Sequence, residues 1–370
     1  MSATELARVA CVGALKAGNV APGAVDSVII GNVIQSSSDA AYLTRHAALM
    51  AGVPIEKPAL TLNRLCGSGF QSVISGAHEI LLKESEVVLT GGTESMSQAP
   101  YALRNARWGS ALGKDLKLED TLWSGLQDSY VKLPMAITAE KLAEMYGITR
   151  DMCDEFAFTS QQRWSNAHKH GYFTAELIPM ETKGKKGVEP FVSDEHPRET
   201  TPEKLGKLAP VFKENGCVTA GNASGICDGA AAVVVASEAA VSRLKLKPLA
   251  RLVGYAVVGV EPSIMGIGPA HAIRKLLQQT NKTLNDIDLV EVNEAFAAQY
   301  LAVEKDLGLD RAKTNVNGGA IALGHPLAAS GSRITAHLVH EMKRRNAKYS
   351  IGSACIGGGQ GIAILLENVH

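Results

Sequence analysis

An internal repeat with an offset of 262 residues constrains the fold more than any other feature of the sequence. The segment DSVII at 26–30 aligns with DLVEV at 288–292, and at the same offset NRLCGSG at 63–69 aligns with HPLAASG at 325–331. Leucine, serine and glycine are identical in the two heptads, and an amphipathic helical pattern follows each of them. A repeat of this length predicts two similar halves within one chain.

Within each half, short apolar runs alternate with segments of helical spacing. Strands are predicted at 26–33, 59–62, 87–90, 230–236, 249–260 and 288–292, and helices at 4–17, 40–50 and 70–83. Ser2 and Glu5 form a capping-box pattern before the first helix. This alternation predicts an α/β fold with a mostly parallel sheet and helices on both faces.

The pattern loosens between about residues 98 and 225, where charged turns predominate. Two helices are predicted there, at 138–146 and 149–169, each opened by a threonine N-cap. Such an insertion is either a solvated loop region or a lid that contributes to binding. We therefore predict three units: an N-terminal half (1–97 plus 226–250), an inserted loop domain (98–225) and a C-terminal half (251–370).

Charge and cysteine spacing exclude several classes of protein. Lysine plus arginine equals aspartate plus glutamate at 37 each, so no bulk field favours nucleic acid. No apolar run is long enough for a membrane span. The six cysteines include no CxxC pair, which argues against a zinc ribbon or a thioredoxin-type site and favours a reducing compartment.

Cys66 stands where the predicted strand 59–62 turns into the predicted helix 70–83. The free N–H groups and the positive end of the helix dipole are expected to favour thiolate over thiol there. The alternative is a buried structural cysteine, the common state of a free thiol. If the halves pack about a pseudo-twofold axis, Cys66 faces the corresponding turn at His325, whose imidazole can accept the thiol proton.

Two further stretches follow predicted strand ends. Asn293 begins NEAF at the carboxyl end of the strand 288–292, where ligands of parallel sheets bind. Cys355 begins CIGGGQG, whose glycine run can aim backbone N–H groups at a developing oxyanion. The run is no phosphate loop, because no lysine-serine or lysine-threonine pair follows it. Cys355 is suited to carrying protons; the alternative is a small buried apolar residue.

Together these stretches resemble the thiolase family over nearly the whole chain, most closely its mitochondrial members that act on 3-ketoacyl-CoA. The matching motifs are NRLCGSGFQS at 63–72, GGTESMS at 91–97, TAGNASG at 219–225, NEAFA at 293–297, GGAIALGHP at 318–326 and SACIGGGQG at 353–361. The resemblance implies a duplicated thiolase fold, with two similar α/β halves in a layered α-β-α-β-α arrangement and an inserted loop domain that binds CoA.

The resemblance also implies a role for each candidate residue. Cys66 would be the nucleophile that takes the acyl group as a thioester, and His325 the base that activates it. Cys355 would protonate the acetyl-CoA carbanion in cleavage or remove the α-proton in condensation. Asn293 (through a water molecule) and His325 would form one oxyanion site, and the backbone N–H groups of Cys66 and Gly357 the other. No metal or permanently bound cofactor is implied, since CoA is a substrate.

For CoA, the resemblance assigns a pantetheine contact to Ser224 and nucleotide contacts to Arg198 and Thr200. An arginine beside a phosphate is physically sensible, and a solvated surface arginine is the alternative. Further candidates for the lining of the pantetheine slot are Met135, Phe212 and Ala220, for which a packing role is the alternative.

The implied reaction is thiolytic cleavage of 3-oxoacyl-CoA by CoA, reversible as a Claisen condensation, within fatty acid β-oxidation. An acetoacetyl-CoA-specific thiolase and a non-catalytic acyl-CoA binder remain alternatives, and a decarboxylating ketoacyl synthase would not need Cys355. The family implies a homodimer or homotetramer. It also implies the mitochondrial matrix, or the cytosol if the shortened N-terminus removes an import signal.

Two departures from the family pattern carry expectations of their own. Thiolases normally begin with a strand and an Arg-Thr-Pro segment before the first helix, whereas here the first predicted element is the helix. That strand is expected to be central in the first half's sheet. Ala328 stands where the family has glycine, and its methyl group is harmless if φ is negative there but displaces His325 if φ is positive.

Overall fold

The structure, a computed structural model, describes residues 1–184 and 187–369. Its strands are β1 (Ser27–Gly31), β2 (Ala59–Leu62), β3 (Val87–Glu94), β4 (Tyr101–Leu103), β5 (Leu118–Asp120), β6 (Gln127–Asp128), β7 (Leu133–Pro134), β8 (Met180–Gly184), β9 (Gly187–Phe191), β10 (Gly229–Ala236), β11 (Ala250–Gly259), β12 (Leu289–Val292), β13 (Tyr349–Ile356) and β14 (Gln360–Asn368).

Its α-helices are α1 (Ala3–Ala17), α2 (Leu43–Met50), α3 (Ser68–Leu81), α4 (Thr121–Gly125), α5 (Met135–Tyr146), α6 (Arg150–Lys169), α7 (Pro202–Gly206), α8 (Glu238–Leu244), α9 (Gly268–Gln279), α10 (Ala297–Leu307), α11 (Ala320–Leu323) and α12 (Leu327–Arg345). Short 3₁₀ turns occupy Pro22–Ala24, Ala40–Tyr42, Met96–Gln98, Pro262–Ile267 and Leu284–Asp286. The predicted capping box is present, because the Ser2 hydroxyl accepts the N–H of Glu5 and the Glu5 carboxylate accepts the N–H of Ser2.

Two four-stranded sheets carry the repeat. The first has the order β10-β3-β1-β2 and the second β11-β14-β13-β12. In the first, β1 is parallel to β3 and β3 is antiparallel to β10; in the second, β12 is parallel to β13 and β13 antiparallel to β14. Three strands of each sheet, β10-β3-β1 and β14-β13-β12, therefore share one topology, as the repeat predicts, whereas the fourth strand lies at the opposite edge in each.

The layers follow the predicted α-β-α-β-α order. Helices α3 and α12 each begin within one of the two repeated heptads. They pack against each other and against strands of both sheets. Helices α1 and α2 cover the outer face of the first sheet, and α9 covers that of the second. Helix α12 approaches both α3 and β3 at glycines. A methyl group on Gly69 of α3 would lie 2.7 Å from the Ala328 carbonyl oxygen, and one on Gly92 of β3 would overlap that oxygen at 1.8 Å.

Ala328 is accommodated without backbone strain. It lies buried within α12, so its φ is helical and negative. Its methyl group fits because the facing residue, Gly31, has no side chain. Of the two outcomes predicted for Ala328, the structure therefore has the harmless one, with negative φ.

The expectation that a further strand would be central in the first sheet is wrong. β1 lies between β2 and β3, and β3 lies between β1 and β10, so every interior position is filled. In the second sheet β11 pairs with β14, the counterpart of β10. Among the described residues no strand pairs with the corresponding outer edge of β10, and all eight of its residues are half-buried, whereas most of β14 is buried.

The inserted segment is held to the C-terminal half by side chains of α6 and of the turn after it. Arg163 donates to the carbonyl oxygens of Thr314 (2.7 Å) and Arg311 (2.8 Å), and Glu176 forms an ion pair with His337 of α12 (2.8 Å). Thr149 caps α6 as predicted. Thr138 does not cap α5, which begins three residues earlier at Met135 after Pro134.

No helix in the described part of the chain is long and apolar enough to cross a membrane. The domain boundaries stay a prediction; the C-terminal half predicted to reach 370 is described as far as 369.

Candidate active site

The turn that carries Cys66 is fixed by its own polar side chains. Asn63 Oδ1 accepts the N–H of Leu65 (2.8 Å), and Ser68 Oγ accepts the N–H of Arg64 (2.8 Å) while donating to the Leu65 carbonyl (2.7 Å). Leu65 has φ +48°, the left-handed region that a residue other than glycine adopts only when its surroundings impose it. The turn therefore presents Cys66 in one defined orientation.

The Cys66 sulfur interacts with two backbone N–H groups, one from each half of the chain. One is its own backbone N–H and the other is that of Gly357, in the loop between β13 and β14. Gly358 and Gly359 continue that loop with φ +76° and +82°, and a methyl group on Gly359 would lie 2.3 Å from the Val260 carbonyl oxygen. Two backbone donors thus converge beside the sulfur.

The thiolate expected at Cys66 is not what the structure favours. Burial raises the pKa of the thiol to about 11, and the Glu94 carboxyl adds to the rise, although the two N–H groups act against it. The sulfur packs with an apolar cluster formed by Ile34, Met96 and Leu327 with Val33, Ala99 and Leu122. The sequence argument overstated the helix dipole, because α3 begins only at Ser68 and the apolar contacts outweigh its N-terminus.

His325 lies just before α12 and is buried. Its Nδ1 is 2.6 Å from Ser330 Oγ, and its backbone N–H donates to the Gly225 carbonyl (3.1 Å). Burial lowers the pKa of the imidazole to about 4, with a further contribution from the Arg333 cation. The ring is therefore neutral near pH 7 and able to accept a proton.

Asn293 lies beside that ring, with Nδ2 3.4 Å from Nε2 and 3.5 Å from Nδ1 of His325. The Asn293 Oδ1 atom is buried and has no hydrogen-bond partner among the described residues. A buried amide oxygen without a donor is costly, so this position suits a bound water molecule or a polar substrate atom.

Cys355 is buried at the end of β13, packed with Met265 and Ala295 and bordered by Met135 and Phe296. Burial raises the pKa of its thiol, and the nearby Cys66 thiol raises it further. The candidates thus form two contact groups, Cys66 with Cys355 and Gly357, and His325 with Asn293. The groups are joined through near neighbours, because Leu327 packs with Cys66 and Ala295 packs with Cys355.

The CoA-binding candidates divide into two groups. Met135 begins α5 with its sulfur beside Gly357, and Ser224 is tied to the NEAFA segment by its N–H, which donates to the Ala295 carbonyl (3.0 Å). Phe212 stacks on Trp123, with ring centroids 6.3 Å apart, and so joins α4 to the loop before TAGNASG. These three positions border the catalytic elements or the insertion that faces them.

The other three candidates lie farther out. Arg198 is exposed, and its backbone N–H donates to Gln161 Oε1 (3.0 Å). Thr200 is half-buried and Ala220 is exposed. No hydrogen bond between these three and the catalytic candidates is found in the described ranges, so their ligand contacts stay predictions.

Several residues with evident roles were not identified from the sequence. Glu94 is fully buried and reaches the cluster around Cys66, and Ser330 orients His325. Asp154 accepts from Asn222 Nδ2 (2.8 Å) and so holds the TAGNASG loop. A carboxylate at the end of an apolar strand was a usable signal for Glu94; the other two contacts depend on tertiary packing.

No cluster of His, Cys, Asp and Glu that could hold a metal ion is found among the residues described.

Comparison with known proteins agrees with this geometry. Residues 1–239 match the family described as "Thiolase, N-terminal domain" and residues 246–368 the one described as "Thiolase, C-terminal domain". The mitochondrial 3-ketoacyl-CoA thiolase of Bos taurus is 63% identical over 366 residues, which cover 99% of this chain and 92% of the relative. The crystal structure of the human mitochondrial 3-ketoacyl-CoA thiolase superposes with a TM-score of 0.99 at 62% identity, covering 100% of this chain and 94% of that one. The human enzyme in complex with CoA superposes with a TM-score of 0.97 at 61% identity, covering 100% and 93%.

Proposed function

The chain belongs to the thiolase family, and from that premise we propose that it is an acyl-CoA C-acyltransferase that cleaves 3-oxoacyl-CoA with CoA. The products are acetyl-CoA and an acyl-CoA shortened by two carbons, and the reverse reaction is a Claisen condensation. The observation that carries the proposal is the convergence of the Cys66 and Gly357 N–H groups beside the Cys66 sulfur, next to the thiol of Cys355. Nucleophile, oxyanion donors and a second proton carrier then share one site.

The first half-reaction transfers the acyl group to Cys66. Neutral His325 takes the thiol proton as the sulfur attacks the 3-oxo carbon, and the N–H groups of Cys66 and Gly357 bind the oxyanion that forms. The C2–C3 bond then breaks, and Cys355 protonates the resulting acetyl-CoA carbanion. Asn293, through a water molecule, and His325 stabilise the enolate oxygen. The Oδ1 atom of Asn293 has no hydrogen-bond partner in the described part of the chain, which supports a water at that place.

The second half-reaction releases the acyl group to CoA. The Cys355 thiolate left by the first half-reaction takes the proton of the CoA thiol, whose sulfur attacks the Cys66 thioester. The protonated His325 then returns its proton to the leaving thiolate of Cys66. Because the acyl group waits on the enzyme between two CoA species, the kinetics are ping-pong. No permanently bound cofactor or metal takes part in these steps.

The inserted segment is proposed to bind CoA. Ser224 and Ala220 in the TAGNASG loop, with Met135 and Phe212, would line the pantetheine slot, and Met135 beside Gly357 supports its inner end. Arg198 and Thr200 would contact the nucleotide. The exposed guanidinium of Arg198 is available for a phosphate, and a bidentate contact is the geometry that arginine favours.

The proposed setting is fatty acid β-oxidation in the mitochondrial matrix, since the relatives named above are mitochondrial. We also propose a homodimer, or a homotetramer built from it. Strand β2 is paired on one side only by β1 in the described part of the chain, and Leu60 within it is 52% exposed, so the edge suits pairing with a second copy. Nucleic acid is not a proposed partner.

The test is thiolysis of acetoacetyl-CoA and of a medium-chain 3-oxoacyl-CoA by purified protein, beside Cys66→Ala. Turnover of both substrates that disappears in Cys66→Ala is expected. Turnover of acetoacetyl-CoA alone would instead identify the acetoacetyl-CoA-specific alternative. A folded protein that turns over neither, yet binds acyl-CoA, would identify the non-catalytic binder.

A further inference from the structure

We propose that Glu94 is a positioning residue of this site, which holds the apolar cluster against Cys66 and couples that cluster to the helix following His325. The inference rests on the proposed function for its kinetic consequences, whereas its geometric basis is independent of it.

Glu94 stands at the end of β3 and is fully buried. Its Oε1 accepts the N–H of Val33 (2.6 Å), and its Oε2 accepts the N–H of Ile34 (3.2 Å). The carboxyl also accepts the N–H of Ala328 in the first turn of α12. One side chain therefore joins the end of β3, the loop after β1 and the start of α12.

The segments that Glu94 joins also supply the apolar surroundings of the sulfur. Val33 and Ile34 come from the loop after β1, and Leu327 directly precedes Ala328; all three pack in the cluster that contains Cys66. An acyl group attached to Cys66 begins at the sulfur, so its first carbons must lie against these side chains. Glu94 thereby sets the distance between the acyl group and the elements that carry Cys66 and His325.

The charge of Glu94 acts on the same site. No ion pair of Glu94 with a basic side chain is found among the described residues. The titratable groups that interact with it are Asp228, another acid directly before β10, and the Cys66 thiol. Burial raises the pKa of Glu94 to about 7, and the carboxylate in turn raises the pKa of Cys66.

A second buried carboxyl provides a matched control. Glu294 is equally inaccessible and accepts from Ser160 Oγ (2.7 Å), Asn315 Nδ2 (2.9 Å) and the N–H of Ile321 (3.2 Å). It does not figure among the groups that shift the pKa of Cys66. A carboxyl with only a structural role is expected to behave like Glu294.

The experiment compares Glu94→Gln with Glu294→Gln. In Glu94→Gln an amide NH₂ replaces one oxygen and faces the N–H of Val33 or Ile34, so the cluster loosens. For each variant three quantities are measured: kcat and KM for thiolysis, the pH dependence of Cys66 alkylation by iodoacetamide (followed by peptide mass spectrometry), and unfolding by urea. We expect kcat to fall about 10- to 100-fold in Glu94→Gln with KM for CoA little changed. The midpoint of Cys66 alkylation should move to lower pH, because a negative charge has been removed.

Glu294→Gln should also unfold at lower urea concentration but leave the alkylation midpoint where it is in the wild type. If Glu94→Gln has the wild-type kcat and alkylation profile, or if both variants move the midpoint equally, the proposal is wrong.

A variant with a shorter acidic side chain distinguishes the effect of the negative charge from the effect of the hydrogen bonds. Glu94→Asp keeps the negative charge but cannot span both Val33 and Ile34, so kcat should fall while the alkylation midpoint stays near the wild-type pH. This variant also answers the question if Glu94→Gln does not fold. A wild-type protein without thiolysis would refute the proposed function, but the alkylation profiles would still decide the position of Glu94 relative to Cys66.

Discussion

The pKa values of Cys66 and His325 are shifted in opposite directions from their ordinary values. These shifts decide which protonation states of the two side chains the substrate meets. Burial raises the pKa of the thiol to about 11 and lowers that of the imidazole to about 4. Between these values both groups are neutral, so the resting site holds a thiol and an imidazole rather than a thiolate–imidazolium pair. The proton then passes from Cys66 to His325 while the sulfur attacks the substrate, and not before.

The neutral pair predicts how Cys66 reacts without substrate. Its alkylation rate by iodoacetamide should rise continuously from pH 7 to pH 10, because the thiolate fraction keeps increasing below a pKa of about 11. The measurement is peptide mass spectrometry of Cys66, with Cys66→Ala as the blank for the other cysteines. A plateau already reached below pH 8 would show a preformed thiolate and contradict the assignment.

At the scale of secondary-structure elements, the site depends on the contact between α3 and α12. The first turn of α12 lies so close to β3 that the Ala328 carbonyl oxygen occupies the position of a side chain at Gly92. Because the N–H of Ala328 reaches Glu94 two residues along the same strand, this contact also sets where His325 stands relative to Cys66.

Gly92→Ala should therefore be among the most damaging small substitutions in the chain. Its methyl group would overlap backbone atoms of α12, and the free energy of unfolding should fall by about 3 kcal/mol or more. Gly23→Ala is the matched control, since its methyl group would meet nothing within 4 Å. Urea unfolding of the two variants checks this; equal stabilities would mean that α12 can move away from β3 at little cost.

At the scale of the whole molecule, the inserted segment is tied to the C-terminal half by a buried ion pair. Burial opposes the charge on His337, but Glu176 outweighs it and raises the pKa to about 9, above the ordinary value of 6.5. The pair contributes its full stability below pH 6.5 and loses it as the pH rises through 9.

The unfolding free energy should accordingly decline between pH 6.5 and pH 9, by on the order of 3 kcal/mol from this pair. His337→Gln should remove that part of the slope, which urea titrations at pH 6.5, 8 and 9.5 would reveal. If the variant and the wild type decline in parallel, the ion pair does not contribute as described.

The sequence predicted the features that are local or repeated. The three-stranded topology that both sheets share follows from the 262-residue offset. That the heptads put Cys66 and His325 on facing turns stays a prediction. The sign of the Cys66 pKa shift was wrong, because it depends on Ile34, Met96 and Leu327, which are distant in sequence. Glu94 was missed although its place at the end of an apolar strand was visible in the sequence; only its contacts with Val33 and Ile34 depend on tertiary packing. Strand order in a sheet cannot be read from chain order, so the further strand was expected at the centre of the first sheet, whereas the structure has a filled interior and an open edge at β10.

The open edge of β10 bears on how this chain behaves before it is fully folded. The strand reads GAAAVVVA, with none of the charges or prolines by which natural edges discourage pairing. Because no strand in residues 1–184 and 187–369 pairs with its outer edge, the N–H and C=O groups there form a template on which another molecule's extended segment can add. During refolding from denaturant, folding of the single chain should therefore compete with the addition of strands from other molecules at β10. The yield of refolded protein should fall as the protein concentration rises.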